Sequence, residues 1–354
     1  MFDIPLKNHD EFYHTILSQS IAALKINTFM DNFDEKHFNS DGVDRSKIFN
    51  SDMCTFYFDW FFKKSHELWN VYSILDDEIS KSLYANLIAF RLGSHFSIRI
   101  PVGFIHRTNE LMEYRNAIKS TESQIDTKGL YGKLKHFDFY YQGKHYQYDG
   151  VDLESYLFRN QYFYERFGKS IKPEPGDHII DGGACLGDTA LVFSNQVGEQ
   201  GMVYSFDPVQ ENLNILKYNI EQFPIKNVQA IPFGLSNKEF ICDPTPLGSY
   251  DPGFRVFNAP TPLQKLDSLV QQGVISKINY IKLDVEGSEK DAIEGAIQSI
   301  LHFKPKLAIS LYHNPDDLFT IPIFIKKYFP FYELHLDHYT IHNDETVLYC
   351  IPKA

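Results

Sequence analysis

The spacing of apolar and polar positions changes period along the chain, and that change divides it. From the start to about residue 92 the apolar residues recur largely at helical intervals. Phe12, Ile16, Ile21, Leu24 and Ile26 form a first group at mixed spacings. A second segment runs from Ser46 to Lys64, with Ile48, Phe49, Met53, Phe56, Trp60 and Phe61. A third runs from Leu68 to Leu92 with Val71, Ile74, Leu75, Ile79, Leu83, Leu87 and Phe90. Inside it, Asp76-Asp77-Glu78 before Ser80-Lys81-Ser82 marks a kink or a helix restart. Ser97–Pro101 reads as a short extended piece and Asn109–Ser120 as a modest helix. Phe137–Tyr141 and His145–Tyr148, on either side of Gln142-Gly143, read as a hairpin. Leu153–Phe167 reads as a helix leading into Pro173-Glu174-Pro175-Gly176.

From residue 177 the pattern alternates between short apolar runs and helical periods. Strands are predicted at 178–181, 202–207, 228–233, 279–285 and 306–312, and helices at 188–197, 209–222, 263–272 and 288–302. Such alternation predicts an α/β domain with a mostly parallel sheet. Between Glu239 and Thr261 prolines and glycines break the pattern, as in an inserted loop over a pocket. Two β-rich runs, Tyr332–Tyr339 and Thr346–Ile351, fit an antiparallel pair closing the sheet. The expected organisation is a mainly helical cap or interaction domain at 1–135, then an α/β domain at 136–354.

Composition narrows the partners. The formal net charge is −12 with no basic stripe, which argues against nucleic acid, whose non-specific binding rests on Lys and Arg. The four cysteines are scattered without C-x-x-C spacing, so neither a disulfide framework nor a structural zinc site follows. No leader and no membrane-spanning run stands out; the expectation is a cytoplasmic protein without membrane insertion.

Candidate chemistry clusters at predicted strand ends. His178-Ile179-Ile180-Asp181-Gly182-Gly183-Ala184-Cys185-Leu186-Gly187-Asp188-Thr189 reads as strand, glycine turn and helix start, an arrangement that lets backbone approach a ligand. The glycines miss the G-x-G-x-x-G spacing of dinucleotide sites. An acid at Asp181 is wrong for a pyrophosphate but suits a ligand with a cationic amino-acid end, such as S-adenosylmethionine (SAM). A second strand ends in Phe206-Asp207-Pro208, placing a carboxylate for ribose hydroxyls. In Lys282-Leu283-Asp284-Val285-Glu286-Gly287-Ser288-Glu289, Asp284 and Glu286 share a face at the pocket mouth. The plainer reading of Ser288 and Glu289 is helix capping. After the next strand, His313 is placed as a general base near neutral pH, with Asp316 or Asp317 orienting it. His335 and His338 are weaker rivals.

These motifs together, with Asn212-Leu213 and Asn219, Lys304-Pro305, Tyr312-His313, Asp316-Asp317, Gln161-Tyr162-Phe163 and Glu345–Tyr349, resemble the FkbM-type family of SAM-dependent methyltransferases over roughly residues 155–352. The resemblance implies a class I methyltransferase sheet of seven strands, Rossmann-like, with an antiparallel last strand. It also implies O-methylation of a hydroxyl, with sugars of surface glycans and polyketide hydroxyls as typical acceptors. Asp207 stands where the family often has Glu. On this reading Asp181, Gly182, Gly183, Ala184, Gly187, Asp188, Thr189, Asp207, Pro208, Asp284 and Gln161 surround SAM, and His313, Asp284 and Glu286 serve the acceptor. The acceptor proton goes to His313, or Asp284, Glu286 and His313 gather a divalent cation; no metal ligand set is assigned. A homo-oligomer through the N-terminal domain fits as well. A nicotinamide-dependent oxidoreductase and a non-catalytic SAM-fold module remain as rivals.

Overall fold

The computed structural model describes residues 5–24, 51–93, 108–127, 131–166, 168–242, 261–340 and 343–353. The Ser97–Pro101 piece, residues 46–50 of the second predicted helix and most of the 239–261 insertion lie outside them. Seven strands form one sheet: β1 (His178–Gly182), β2 (Met202–Phe206), β3 (Val228–Ile231), β4 (Tyr280–Leu283), β5 (Lys306–Ser310), β6 (Tyr332–His338) and β7 (Thr346–Pro352), in the order β6-β7-β5-β4-β1-β2-β3. The pairs β1–β2, β2–β3, β1–β4 and β4–β5 are parallel. The few residues between the neighbouring strands β6 and β7 are too few for a parallel crossover, so these two run antiparallel. Strands β1, β2, β4 and β5 are buried almost throughout, as expected of parallel strands covered by helices on both faces.

The chain divides into two compact units, residues 1–108 with 314–348, and 109–313 with 349–354; the expected boundary at 135 falls inside the second. In the first unit helices His9–Leu24, Ser51–Ile74, Glu78–Gly93 and Asp317–Tyr328 bury Phe12, Ile16, Phe61, Leu68, Leu87 and Ile321. The break predicted near Asp76 is a helix restart. Asp77 accepts from the backbone N–H groups of Ile79 and Ser80 at 3.0 and 2.7 Å, an N-terminal cap, and its other oxygen meets His335 Nδ1 at 2.6 Å. The second and third predicted helices accordingly exchange a boundary: residues 68–74 belong to the second.

In the second unit the predicted hairpin is present, Lys135–Tyr141 paired with Lys144–Gly150, and its Tyr146 and Tyr148 are fully buried. Two helix expectations need correction. The span 153–167 holds only the single turn Glu154–Leu157, because Asn160 and Tyr162 take left-handed φ of 52° and 73° and the chain then enters a small strand, Tyr164–Arg166. Tyr162 is fixed there by Tyr349 Oη, which accepts from its N–H at 3.2 Å, and by Tyr280 Oη, which donates to its carbonyl. The span 288–302 is two helices, Glu289–Glu294 and Ile297–Phe303. The break is at Gly295, where a Cβ would stand 1.9 Å from the Ser236 carbonyl oxygen, so only glycine lets the segments meet. No helix among the described residues is long and apolar enough to cross a membrane.

Candidate functional site

Three observed strands stop one to three residues short of the key side chains: β2 before Asp207, β4 before Asp284 and β5 before His313. These residues therefore stand on loops at the carboxyl ends of parallel strands, where open α/β sheets bind ligands. At β1 the chain turns through Gly183 with φ 78°, and a Cβ there would lie 1.8 Å from the Asp284 carbonyl oxygen. That close approach explains the glycine, and the Asp284 N–H, donating to the Gly182 carbonyl at 3.1 Å, joins the β1 and β4 loops. The N–H groups of Gly183 and Ala184 donate to the Phe206 carbonyl at 3.0 and 2.9 Å, joining the β2 loop to them.

Beneath this junction lies a buried ion pair that the motif reading missed. Lys282 and Asp181 are cross-strand neighbours, 1% and 0% exposed, with Nζ 3.3 Å from Oδ1. Lys282 also donates to the carbonyls of Gly182 and Gly183 at 3.0 and 2.7 Å. Burial alone would strip its proton, but Asp181, Asp284 and Asp188 outweigh that and hold its pKa above the ordinary lysine value. The remaining acceptor positions of Asp181 are taken by Thr189 Oγ1, 2.9 Å from both oxygens, and Ser205 Oγ at 3.2 Å. Asp181 was expected at the amino-acid end of a ligand. It does not line the cavity and is instead an internal anchor, because its side chain points into the layer between sheet and helix.

The cavity above the turn has a volume of about 570 Å³, within the range of small-molecule sites. Gly183, Cys185, Leu186 and Asp188 form one wall, and Phe206, Asp207, Pro208, Val209 and Asn212 another. Phe233, Gly234, Leu235 and Leu263 add an apolar side; Lys282, Asp284, Val285, Glu286 and Ser288 close the β4 end. Tyr131, Asp152, Ser155 and Tyr156 complete it from the segment before β1, which carried no recognisable signal in the sequence. Gly182, Ala184, Gly187, Thr189 and Gln161 are not among the lining residues. Gly187, with φ 98°, starts the helix Asp188–Val197, and Gln161 is buried with its Nε2 donating to Tyr162 Oη at 3.1 Å.

Asp207 is 5% exposed and accepts from the N–H groups of Cys185 and Val209 at 3.0 and 2.8 Å and from Asn212 Nδ2. It thus clamps two loops as well as facing the cavity. Burial pushes its carboxyl up to about 6 against those hydrogen bonds and the Lys282 charge. Burial likewise pushes Asp188 up to about 7, opposed by Lys282 and the Thr189 N–H.

At the β4 end the carboxylates gather round one imidazole. His313 Nδ1 lies 2.9 Å from Glu289 Oε1, and Nε2 lies 3.4 Å from both Asp284 Oδ1 and Glu286 Oε2. Tyr162 and Tyr312 donate to Asp284 at 2.7 and 2.9 Å and fix its plane. Burial is the largest influence on Asp284 and would raise its pKa, but His313, Lys282 and these hydroxyls together leave it lowered. For His313 burial favours the neutral ring, yet Glu289, Asp284 and Glu286 outweigh it and push the pKa up to about 10. The imidazole was expected near neutral pKa with Asp316 or Asp317 beside it. It is instead a cation at pH 7, because Asp284 and Glu286 of the β4 loop and Glu289 at the start of the next helix surround it, and it is not among the lining residues. Asp316 meets Trp60 Nε1 at 2.8 Å and Asp317 meets the Asn314 N–H at 2.9 Å. His335 is paired with Asp77, and His338 Nδ1 lies 2.8 Å from Thr346 Oγ1; neither rival is among the residues lining the cavity.

Among known proteins, the family model described as the Methyltransferase FkbM domain matches residues 181–341. No curated protein matches the sequence. The solved structure of methyltransferase FkbM from Methylobacillus flagellatus is similar with a TM-score of 0.53 at 18% identity, covering 82% of this chain and 59% of that one. The chain thus spans well under two thirds of that relative. Weaker likenesses include the Aeropyrum pernix fibrillarin with bound S-adenosyl-L-methionine (TM-score 0.38, 15% identity, 66% of this chain and 88% of that one). Another is a SAM-dependent methyltransferase from Aquifex aeolicus (TM-score 0.31, 15% identity, 50% and 82%). Residues 181–341 thus match the model of the FkbM methyltransferase domain, and the sheet has the class I SAM-dependent methyltransferase fold.

Proposed function

We propose that the protein transfers a methyl group from SAM to a hydroxyl oxygen, with a sugar as the best-fitting acceptor. The observation that carries the reading is one cavity with a buried strand-end carboxylate, Asp207, on one side and the Asp284–Glu286 pair on another. The cavity suits the cofactor: Asp207 is placed to accept from ribose hydroxyls, Leu235, Leu263 and Phe233 offer an apolar slot for a base, and Gly183 leaves backbone where a side chain would intrude. Tyr131 and Tyr156, with Asp152 and Ser155 beside them, give the stacking faces and hydrogen-bonding groups that a polyhydroxylated acceptor uses.

SAM supplies an electrophilic methyl: the acceptor oxygen forms the new C–O bond while the S–C bond breaks and its electron pair stays on sulfur. The chain's task is alignment and removal of the acceptor's proton. Glu286 lines the cavity with 30% of its side chain exposed, so its carboxylate is the group that takes the proton. His313, protonated and 3.4 Å away, steadies the charge and orients the carboxylates. Asp284, held by two tyrosines, faces the reacting centre as a fixed acceptor.

The cofactor half is tested by calorimetry with SAM across pH. The ionised Asp207 carboxylate accepts from the ribose and the protonated form does not, so affinity falls as pH drops below about 6, approaching tenfold per unit. Lys282, Cys185, Asn212 and Tyr131 surround this carboxylate, and Asp207→Asn isolates its share. The variant should bind SAM about 10- to 150-fold more weakly, from the loss of roughly 1.5–3 kcal/mol of charge-assisted hydrogen bonding, with a flatter pH profile. A folded Asp207→Asn protein with wild-type affinity would remove Asp207 from the cofactor site.

A further inference from the structure

The cluster round His313 carries more negative charge than its hydrogen bonds use. Glu289 is completely buried in the first turn of its helix; Oε1 accepts from the Val285 N–H at 2.7 Å, while Oε2 has no hydrogen-bond partner among the described residues. A carboxylate oxygen taken out of water and left without a donor is costly, and such groups are normally paired or ligate metal. Around it stand Asp284 and Glu286, against one imidazole; Lys282, the nearby cation, is 3.3 Å from Asp181 and donates to the glycine turn. Asp284, Glu289 and His313 each offer one ligand atom, and these atoms lie within 4.8 Å of one another.

We infer that Asp284, Glu289 and His313 form a binding site for one divalent first-row cation of the Mn²⁺ type. Ligands at bond lengths of roughly 2.0–2.2 Å stand up to about 4.4 Å apart across such an ion, so the three donors close on it with side-chain shifts of about half an ångström. One imidazole with two carboxylates favours Mn²⁺, Fe²⁺ or Zn²⁺ over Ca²⁺ and Mg²⁺, which prefer oxygen-only sets. The ion would displace one ring proton of His313 to reach the nitrogen lone pair, taking over that proton's role between the carboxylates, and would satisfy Glu289 and offset the carboxylate excess. Asp284 is both a proposed ligand and part of the cavity wall, so the ion would stand next to the acceptor hydroxyl and polarise it. That use of the ion rests on the methyl-transfer reading; the site itself rests on the donor geometry.

The test is titration of the full-length protein with Mn²⁺ alone, without SAM or acceptor, followed by electron paramagnetic resonance of free Mn²⁺. The wild type should take up one Mn²⁺ per chain saturably, and Glu289→Gln and Asp284→Asn should each weaken binding at least tenfold, with Zn²⁺ competing for the same site. Urea unfolding of each variant checks that it is folded, and the wild-type titration decides the matter even if one is not. Absence of a saturable site, or one indifferent to both substitutions in folded protein, would overturn the inference. A protein that binds SAM but no Mn²⁺ refutes only the cation, and one that binds Mn²⁺ but not SAM refutes only the methyl-transfer reading.

Discussion

Glu286→Gln is expected to lower kcat by about 10²–10⁴-fold, the usual contribution of a positioned proton acceptor. The substitution keeps the side chain's size and most of its contacts but removes the basic oxygen. Glu286 is the group for this role by position. Asp284 already accepts hydrogen bonds from Tyr162 and Tyr312, and His313 holds its own proton at neutral pH and is not among the residues lining the cavity. Glu286 sits at a left-handed φ of 55° next to Gly287 at 91°, a turn that brings its side chain to the cavity. Single-turnover kinetics with saturating SAM isolate the chemical step. A drop in kcat with SAM affinity within about twofold of wild type supports the assignment. Near-normal turnover would move proton acceptance to another group.

The largest stability effect is expected at Lys282. Replacing it with Met leaves Asp181 ionised and buried without its cation, and removing one partner of a buried pair typically costs about 3–5 kcal/mol. The cost is concentrated because Lys282 also satisfies the carbonyls of Gly182 and Gly183, which would lose their donor in the same change. Denaturant unfolding at pH 7 should show this as a lower midpoint. The double variant Lys282→Met, Asp181→Asn should recover part of the loss, since it removes the stranded charge. A single variant within about 1 kcal/mol of wild type would mean that the pair does not hold the glycine turn.

Much of the fold was legible because parallel strands buried on both faces write themselves as short apolar runs. All five runs predicted from 178 onward are strands, each ending within two residues of the prediction. The pocket positions of Asp207, Asp284 and Glu286 followed from the same runs, since a polar residue just past a buried strand lies at the sheet's carboxyl edge. Other features depend on tertiary contact and leave no local trace. Asp181 and Lys282 are 101 residues apart (282 − 181) and meet only through strand register, so a strand-end acid read as ligand-facing is internal. The apolar pattern at 153–167 was overridden by left-handed residues anchored to distant tyrosines. His313 looked like a neutral-range base because its charge environment comes from a different loop. Glu289 read as an ordinary first-turn acid until burial showed an oxygen without a donor.

The central claim is that this cavity places a methyl group on oxygen. It is tested most directly by incubating the protein with SAM carrying a ¹³C-labelled methyl and a panel of nucleotide-linked and free sugars, then locating the label by heteronuclear NMR. The account predicts labelled methyl ether on a sugar hydroxyl, formed by the wild type and lost with Glu286→Gln. Label found on nitrogen or carbon instead, or no labelled methyl ether on any sugar from wild type that binds SAM, would contradict it.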